Sequence, residues 1–515
     1  MKTSKYLSAF IIGGVTLISG ISHAESLDEA VQYVLKTNPN LAAIAYRRKA
    51  IDHQVEQAKS AYWPKVDFSY AVGPDKNFEP INGTLSVKQN TLSLRQNIFN
   101  GFITDSEVKR QTARVNSEAY RLQGNSEQTA LSVAKVYLDV LRHDDLKLLA
   151  LQNMGIHERI FDQIKLRSEA GVDQKANLDQ VKGRLALAKS NVVITEINVE
   201  DAKTNYQSVV GRLPEDLTKP ANLDSVLPET LEEAQNKAVQ SHPILKSAKA
   251  DLEATKAQDE AAKGAFYPVV DLEVDRRWDS NTDNTEGYQE DIQGMLKVRL
   301  NLFSGLKDTA RKAETVELIN EAISIKNNTE REVVESIRLS WMAHYAAQRK
   351  VSLLEEYVDS ASSTAEAYTK QWNLGKRTML DVLDTQAEVI NAKQDLINAQ
   401  YDALYTEYRI LSGMGAMVHT LKMTWPEETK TVPMPTPYTA AYFEYPFLPA
   451  NATRLEAIEA AQKAGIDTGF RWKTTNGIST VVHPTVQPGE VEKLRNERMQ
   501  VEAMMKEGAH VRALE

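Results

Sequence analysis

Few residues of this chain are spaced for chemistry. Nine histidines are scattered along it, and His143, His157, His242 and His344 lack the spacing of a metal set. His242 precedes Pro243 as Asn38 precedes Pro39, so it reads as a helix-start device. There is no Gly-rich phosphate loop ending in Lys-Ser/Thr, no His-Glu-x-x-His and no Gly-x-Ser-x-Gly elbow. A chain without a nucleotide site cannot power anything by itself. No catalytic residues, metal or cofactor are expected, and an enzyme is not. Arg377, Asp381 and Asp384 stand just after a glycine; taken as residues alone they are helix-start charges, since acids in a first turn favour the helix dipole.

The elements that carry these residues occur twice, 204 positions apart. Leu27-Asp28-Glu29-Ala30 recurs as Leu231-Glu232-Glu233-Ala234, and Tyr62-Trp63-Pro64 as Phe266-Tyr267-Pro268. The run Leu94 to Gly101 recurs as Val298 to Gly305, and Gly171 matches Gly375. One structural unit has been duplicated and fused. The period is too long for a solenoid, so the halves are pseudo-equivalent parts of one object.

Residues 1–24 read as a secretory signal peptide: Lys2 and Lys5, an apolar run from Leu7 to Ile18, then Ser22-His23-Ala24 before Glu25. Removing the two lysines takes the formal net charge from −9 to −11. No long basic run offsets that charge, so nucleic acid is not an expected partner. With no cysteines, an exported chain must be held by buried area and assembly. No later stretch approaches 18 uninterrupted apolar residues, but a β-barrel strand needs only about 9–11 residues.

Each half reads as short helix, strand pair, long helix, tight turn, long helix. Val66, Phe68, Tyr70 and Val72 alternate with polar or small residues, as do Val270, Leu272 and Val274. The alternation from Ile292 through Gly294, Leu296, Val298 and Leu300 to Leu302 is the clearest, and a phase shift near Asn90 suggests a bulge. Four strands cannot close a barrel alone. They pack on helices, or several chains pool them, giving eight strands for a dimer or twelve for a trimer, both allowed barrel sizes. Residues 306–372 contain no proline, and a continuous helix there spans about 100 Å. Its later part carries a 3-4 spacing: Val351, Leu354, Val358, Ala361, Ala365, Tyr368 and Trp372. Gly171 and Gly375 fit helix-ending glycines. The Pro- and aromatic-rich stretch 426–449 reads as an extended strap, 451–464 as a short helix, and 490–515 as charged and helical or disordered.

The stretch from Trp372 through Gly375, Arg377 and Asp381 to Asp384 closely resembles the helix-tip motif of TolC-type outer-membrane channel proteins. The run Asn391 to Tyr401 and both Asn-x-Phe-x-Gly turns, at 97–101 and 301–305, are similar to the same family. The resemblance covers residues 25–415 and says little about 426–515. It implies a mainly α fold with a membrane β-barrel. Three copies of the internally duplicated protomer form a 12-stranded barrel, four strands per chain, and an α-helical tunnel across the periplasm. The segments are then a signal peptide (1–24), a first repeat (25–212), a linker (213–229), a second repeat (230–415) and a C-terminal extension (416–515). In the repeats the strands fall at 65–99 and 269–303, and the long helices at 102–168, 177–210, 306–372 and 379–412.

The resemblance also implies partners: a homotrimer, a periplasmic adaptor (membrane fusion) protein, an inner-membrane ABC or proton-driven transporter, and outer-membrane lipid. The chain is then a passive conduit for type I protein secretion, small-molecule efflux or both. The tip around Gly171 looks more like type I secretion members. Asp381 and Asp384 correspond to lumen-facing acidic rings, Arg377 and Trp372 to residues holding the tunnel closed, and Gly171 and Gly375 to tip turns that dock the adaptor. The family often has an acid where this chain has Asn177; Asp173 or Asp179 is the available substitute as partner of Arg377. For Trp372 continuing the heptad, core packing is an equal reading. The rival function is a non-pore coiled-coil spacer or adaptor of the cell envelope, against which the two strand pairs and the missing lipidation cysteine argue.

Overall fold

The computed structural model describes residues 24–77, 83–282, 286–435, 471–475 and 478–482. The signal segment up to residue 23, the expected helix over 451–464 and the charged stretch 490–515 lie outside the described residues. Each half opens with two helices. α1 (Leu27–Thr37) starts in a capping box: Ser26 Oγ accepts the Glu29 N–H at 3.3 Å, and the Glu29 carboxylate accepts the Ser26 N–H at 3.0 Å. α2 (Pro39–Lys59) starts on Asn38, whose side chain accepts the amides of Asn40 and Leu41. Pro39 fits the first helical position because an N–H there has no intrahelical acceptor.

A hairpin follows, β1 (Lys65–Asn77) and β2 (Gly83–Phe99), then two long helices, α3 (Ile103–Glu169) and α4 (Lys175–Val210). The second half repeats the order as α5 (Leu231–Ser241), α6 (Pro243–Lys263), β3 (Val269–Ser280), β4 (Tyr288–Arg299), α7 (Lys307–Asn373) and α8 (Met379–Gly413). Both ends of α1, α2 and α3 reappear displaced by 204 residues in α5, α6 and α7. At 67 residues each, α3 and α7 span about 100 Å. His242 does occupy the N-cap of α6, but its side chain makes no cap bond. Burial pushes its imidazole down to about 4.

The four strands form one antiparallel sheet in the order β1-β2-β3-β4. β1 and β2 stay in register from Lys65 opposite Arg95 to Asn77 opposite Gly83, so the bulge expected near Asn90 is not there. The register shift lies between Asn97 and Phe99, where β2 meets β3. At Asn90 side chains replace the ladder: its amide donates to Asp279 Oδ1 at 2.9 Å, and its Nδ2 donates to the Trp278 carbonyl at 2.7 Å. β4 ends at Arg299, short of the alternation that continues to Leu302. Its partner β3 begins at Val269, and Pro268 before it has no N–H to extend the ladder.

The strand-to-helix corners need left-handed backbone. Gly101 and Phe102 have φ of +69° and +63°, and Gly305 and Leu306 repeat this at +65° and +67°. A Cβ on Gly101 would stand 2.5 Å from the Gly264 carbonyl oxygen, so the first corner also closes against the end of α6.

The main core lies midway along α3 and α7, where the C-terminal ends of α4 and α8 meet them. It joins Val31 and Val34 of α1, Leu122 and Tyr137 of α3, Tyr206 of α4, Ile337 of α7, and Tyr408 and Leu411 of α8. Each such side chain contributes about 1.5–3 kcal/mol when fully buried. After α8 a short helix, α9 (Met417–Thr420), leads into a strap sewn onto α1, α2 and α3. Glu127 accepts the Met417 amide at 2.8 Å, Gln32 accepts the Thr424 amide at 3.1 Å, and Asn116 accepts the Val432 amide at 2.7 Å. The chain divides into two units, Met1–Pro435 and Thr436–Glu515. In the second, β5 (Arg471–Thr475) and β6 (Ile478–Val482) pair antiparallel, a hairpin additional to the strap, helix and charged stretch expected of the tail.

Glu407 is buried in this core and accepts the Leu223 amide at 2.7 Å. Burial, and then the neighbouring Asp224, push its carboxyl up to about 7. A folded value above the unfolded one means that the native state holds the proton more tightly. The stability it contributes is complete below about pH 4.5 and is lost as pH rises through about 7, up to about 3 kcal/mol. Burial raises the Glu127 carboxyl to about 7 as well, so Glu407→Gln should lessen, without abolishing, the fall in unfolding midpoint between pH 4.5 and 8. An unchanged slope in that variant would assign the dependence to another group.

Candidate functional site

The two helical hairpins turn at one end, α3 into α4 and α7 into α8, by the same hydrogen bonds. Gly171 donates to the Ser168 carbonyl at 3.0 Å and Val172 to that of Arg167 at 2.8 Å. Gly375 donates to Trp372 at 2.8 Å and Lys376 to Gln371 at 2.9 Å. Both glycines are left-handed, at φ +73° and +70°, the geometry in which a residue past the helix end closes its last carbonyls. A Cβ would meet nothing at either glycine. Beside them Val172 and Leu374 are 68% and 71% exposed, so each turn presents an apolar side chain at its tip.

Of Arg377, Asp381 and Asp384, the first two are held within the second hairpin. Asp381 accepts the Thr378 amide at 3.1 Å and its hydroxyl at 2.8 Å, and Thr378 Oγ1 accepts the Asp381 amide at 3.2 Å. These Thr378 bonds, and then Arg377, hold the Asp381 carboxyl below its usual range. Arg377 lies over the Tyr368 ring at 4.0 Å, donates to Gln371 Oε1 at 3.1 Å and stands 4.0 Å from Asp381. The acid nearest the expected partner in the first hairpin is engaged elsewhere: Asp173 accepts from Asn177 at 2.7 Å and faces Arg167 at 3.7 Å. Within the chain the contacts of Arg377 are thus to its own hairpin, to Tyr368, Gln371 and Asp381, rather than to Asp173 or Asp179.

The hairpins are joined at the tips by other means. Trp372 is 8% exposed and packs with Ile164 of α3, Val181 of α4, and Met379, Val382 and Leu383 of α8. Arg167 of α3 lies over its ring at 5.4 Å. Core packing is thus the place of Trp372. Asp384, mostly exposed, reaches Arg184 of α4 at 3.0 Å. Arg184 and Arg167 escaped sequence reading because neither belongs to the Gly375–Asp384 motif, and pairing across hairpins leaves no local spacing signal.

The sheet at the other end has two unlike faces. Val66, Phe68, Tyr70 and Val72 are all more than half exposed, as are Ile292, Leu296 and Val298. Exposed apolar side chains clustered on one face in this way are what lipid covers. From Val270 to Trp278 the face rises about 26 Å at 3.3 Å per residue, apolar through Val274 and then crossed by the Arg276–Glu290 ion pair below Trp278. Phe99, Phe102 and Tyr267 meet edge-to-face at its lower margin, and Phe68 stacks near Trp278 higher up. The opposite face is polar and paired: Glu273 joins Arg95 and Lys297, and Asp271 joins Arg299 and Asn97. Among the described residues no helix is long and apolar enough to cross a membrane, and no group of side chains is arranged to hold a metal.

A family profile described as "Outer membrane efflux protein" matches residues 30–212 and again 234–416. The chain belongs to the outer membrane efflux protein family. The two matches repeat the 204-residue offset and together take in well over half of the 515 residues. The outer membrane efflux protein BepC of Brucella suis biovar 1 (strain 1330) is 24% identical over 413 residues, 80% of this chain and 90% of that protein. The outer membrane protein TolC of Escherichia coli (strain K12) is 24% identical over 403 residues, 74% of this chain and 80% of its own. The crystal structure of VceC from Vibrio cholerae superposes with a TM-score of 0.65 at 17% identity, covering 76% of this chain and 96% of that one. This family member is an outer-membrane protein with its helical part in the periplasm, and family and fold are those of channels rather than enzymes.

The Asp381 cap makes a local prediction. Asp381→Ala should weaken the start of α8 by about 1 kcal/mol, seen as faster amide exchange over 378–384. Asp384→Ala, which removes only a partly exposed ion pair, should leave that exchange unchanged.

Proposed function

We propose that three copies of this chain form a passive outer-membrane conduit, gated at the periplasmic helix tips, for an export complex that spans the periplasm. The observation that carries the reading is the sheet: one apolar face, one polar face, and two unpaired edges. β1 and β4, 13 and 12 residues long, each expose a row of backbone groups, interrupted in β1 only at Pro74, which has no N–H. Backbone groups at membrane depth must be paired, and β1 of one copy against β4 of the next pairs them. Three copies then give twelve strands, an even number within the range of such barrels. Lipid covers the apolar face and water fills the polar one. A coiled-coil spacer has no use for such a sheet.

At the tips, Asp381 and Asp384 supply acidic rings around the axis. Like charges at a constriction attract cations and repel anions. Trp372 and Arg377 hold the closed arrangement in different ways: Trp372 by apolar packing between hairpins, and Arg377 by bracing its own turn through Tyr368 and Gln371. The exposed Val172 and Leu374 beside Gly171 and Gly375 are suited to docking a periplasmic adaptor, which connects the conduit to an ABC or proton-driven transporter in the inner membrane. Cargo is protein by type I secretion, small toxic compounds, or both.

Conductance of purified protein in planar bilayers tests the reading. Wild type should give small, cation-selective openings. The double variant Asp381→Ala/Asp384→Ala should lose cation selectivity. Trp372→Ala removes a buried aromatic worth about 3–5 kcal/mol and should raise the open fraction and conductance. Folded, inserted trimers without any conductance would sink the channel and return the spacer. Separately, Leu374→Asp should abolish cross-linking to the adaptor in cells and leave bilayer conductance intact.

A further inference from the structure

The duplication gives each contact between the halves a counterpart, and in several cases that counterpart is bare. Within the chain α3 packs on α6, where Ser117 Oγ lies 3.0 Å from Ser247 Oγ, both residues buried. Displaced by 204, these positions are Glu321 on α7 and Ala43 on α2, and both are exposed. Within the chain α3 also packs on α8: Tyr401, 2% exposed, donates to Asp145 at 2.7 Å. The counterparts are Ile197 on α4, 56% exposed, and Arg349 on α7, also exposed. Leu138 is 1% exposed and its counterpart Met342 57%. One side of the second repeat and the complementary side of the first therefore lie uncovered on the same chain. A head-to-tail ring of identical chains is the arrangement that covers both.

The two sets of contacts differ in chemistry. Leu122, Ala130 and Ala134 of α3 are buried in the core, whereas their counterparts on α7 are Lys326, Val334 and Arg338. The change at Glu127 is the most informative. Glu127 accepts the amides of Met417 at 2.8 Å and of Val418 at 3.3 Å. The counterparts of those donors are Leu213 and Pro214. Pro214 has no N–H to give, so a carboxylate facing it would lack that donor. The chain places Arg331 there instead, and Glu215 follows Pro214 in the exposed linker. Likewise Arg349 falls opposite Ile197, which is flanked by the exposed Glu196 and Glu200.

We propose that the copies join along a charged seam, Arg331 to Glu215 and Arg349 to Glu196 or Glu200 of the neighbouring copy, at positions where the corresponding seam inside the chain uses hydrogen bonds instead, Glu127 with the Met417 and Val418 amides and Asp145 with Tyr401. This rests on the trimer reading above and deepens it. The in-chain seam is buried within one chain and forms as that chain folds. The seam between copies consists of pairs that water and salt can enter, so it assembles later and loosens as ionic strength rises.

The full-length chain has no native cysteine, which makes the test direct. Ala43→Cys/Glu321→Cys should oxidise to covalent trimers, because the equivalent oxygens inside the chain are 3.0 Å apart and a disulfide needs close, facing Cβ atoms. Arg331→Glu and Glu215→Arg should each speed subunit exchange between labelled trimers about tenfold at low salt, with ion-pair screening the source of the salt effect. The combined charge swap should restore the slow exchange. Native trimers that fail to cross-link, or a double swap that exchanges as fast as the single variants, would overturn the seam and leave the trimer standing. A monomeric wild-type protein in detergent would instead overturn the trimer reading itself.

Discussion

An open sheet in a membrane is a contradiction that the rest of this protein resolves. Every N–H and C=O at bilayer depth needs a partner, yet four strands leave two edges without one. Apart from Pro74 towards the far end of β1, the edges carry none of the prolines and bulges by which soluble sheets avoid pairing with neighbours. β1 and β4 are long, regular and of matched length. The exposed apolar face adds a further demand, since Phe68, Tyr70 and Leu296 are stable only against lipid. Edges and face together require other copies and a bilayer. The ion-paired face around Glu273 and Asp271 keeps the enclosed side wet.

The helices inherit the same geometry. A barrel of pooled strands hands each chain to α3 and α7 at two corners, each made by a left-handed Gly and the residue after it. At Gly101 the corner closes on the end of α6 with no room for a Cβ, while at Gly305 space remains. The difference follows from topology. The Gly101 corner is covered by the chain's own second half, whereas the Gly305 corner faces outward. Duplication thus supplies two copies of each joint, and the sequence has specialised each for what covers it.

Much of this was legible because periodic elements announce themselves. Period-two alternation identified the hairpins, since a sheet between lipid and water must alternate at every residue. The heptad from Val351 to Trp372 marked a helix seam, and Ala361, Ala365 and Trp372 are indeed buried. What escaped depends on partners distant in sequence. Asn90 breaks the alternation as a bulge would, but it is bound by Trp278 and Asp279 across the sheet. Arg184 is one of many surface-type cations until α8 brings Asp384 beside it. The β5–β6 hairpin does have a local signal, Asn476-Gly477 between two strand-forming runs, which the composition of the tail does not convey.

The tips combine two kinds of interaction with different responses to conditions. The pair Arg184–Asp384 is largely exposed, contributes at most about 1 kcal/mol and is screened by salt. Trp372, wedged among Ile164, Val181 and Leu383, is held by buried apolar area, to which salt is nearly indifferent and which scales with how far the hairpins separate. A gate built on charge pairs alone would drift open as ionic strength rose. One built on Trp372 stays shut until something supplies work to part the hairpins. In the proposed export complex, an adaptor gripping the apolar tips at Val172 and Leu374 is positioned to do that work. On that proposal, charge at Asp381 and Asp384 acts on what passes rather than on whether the passage is open.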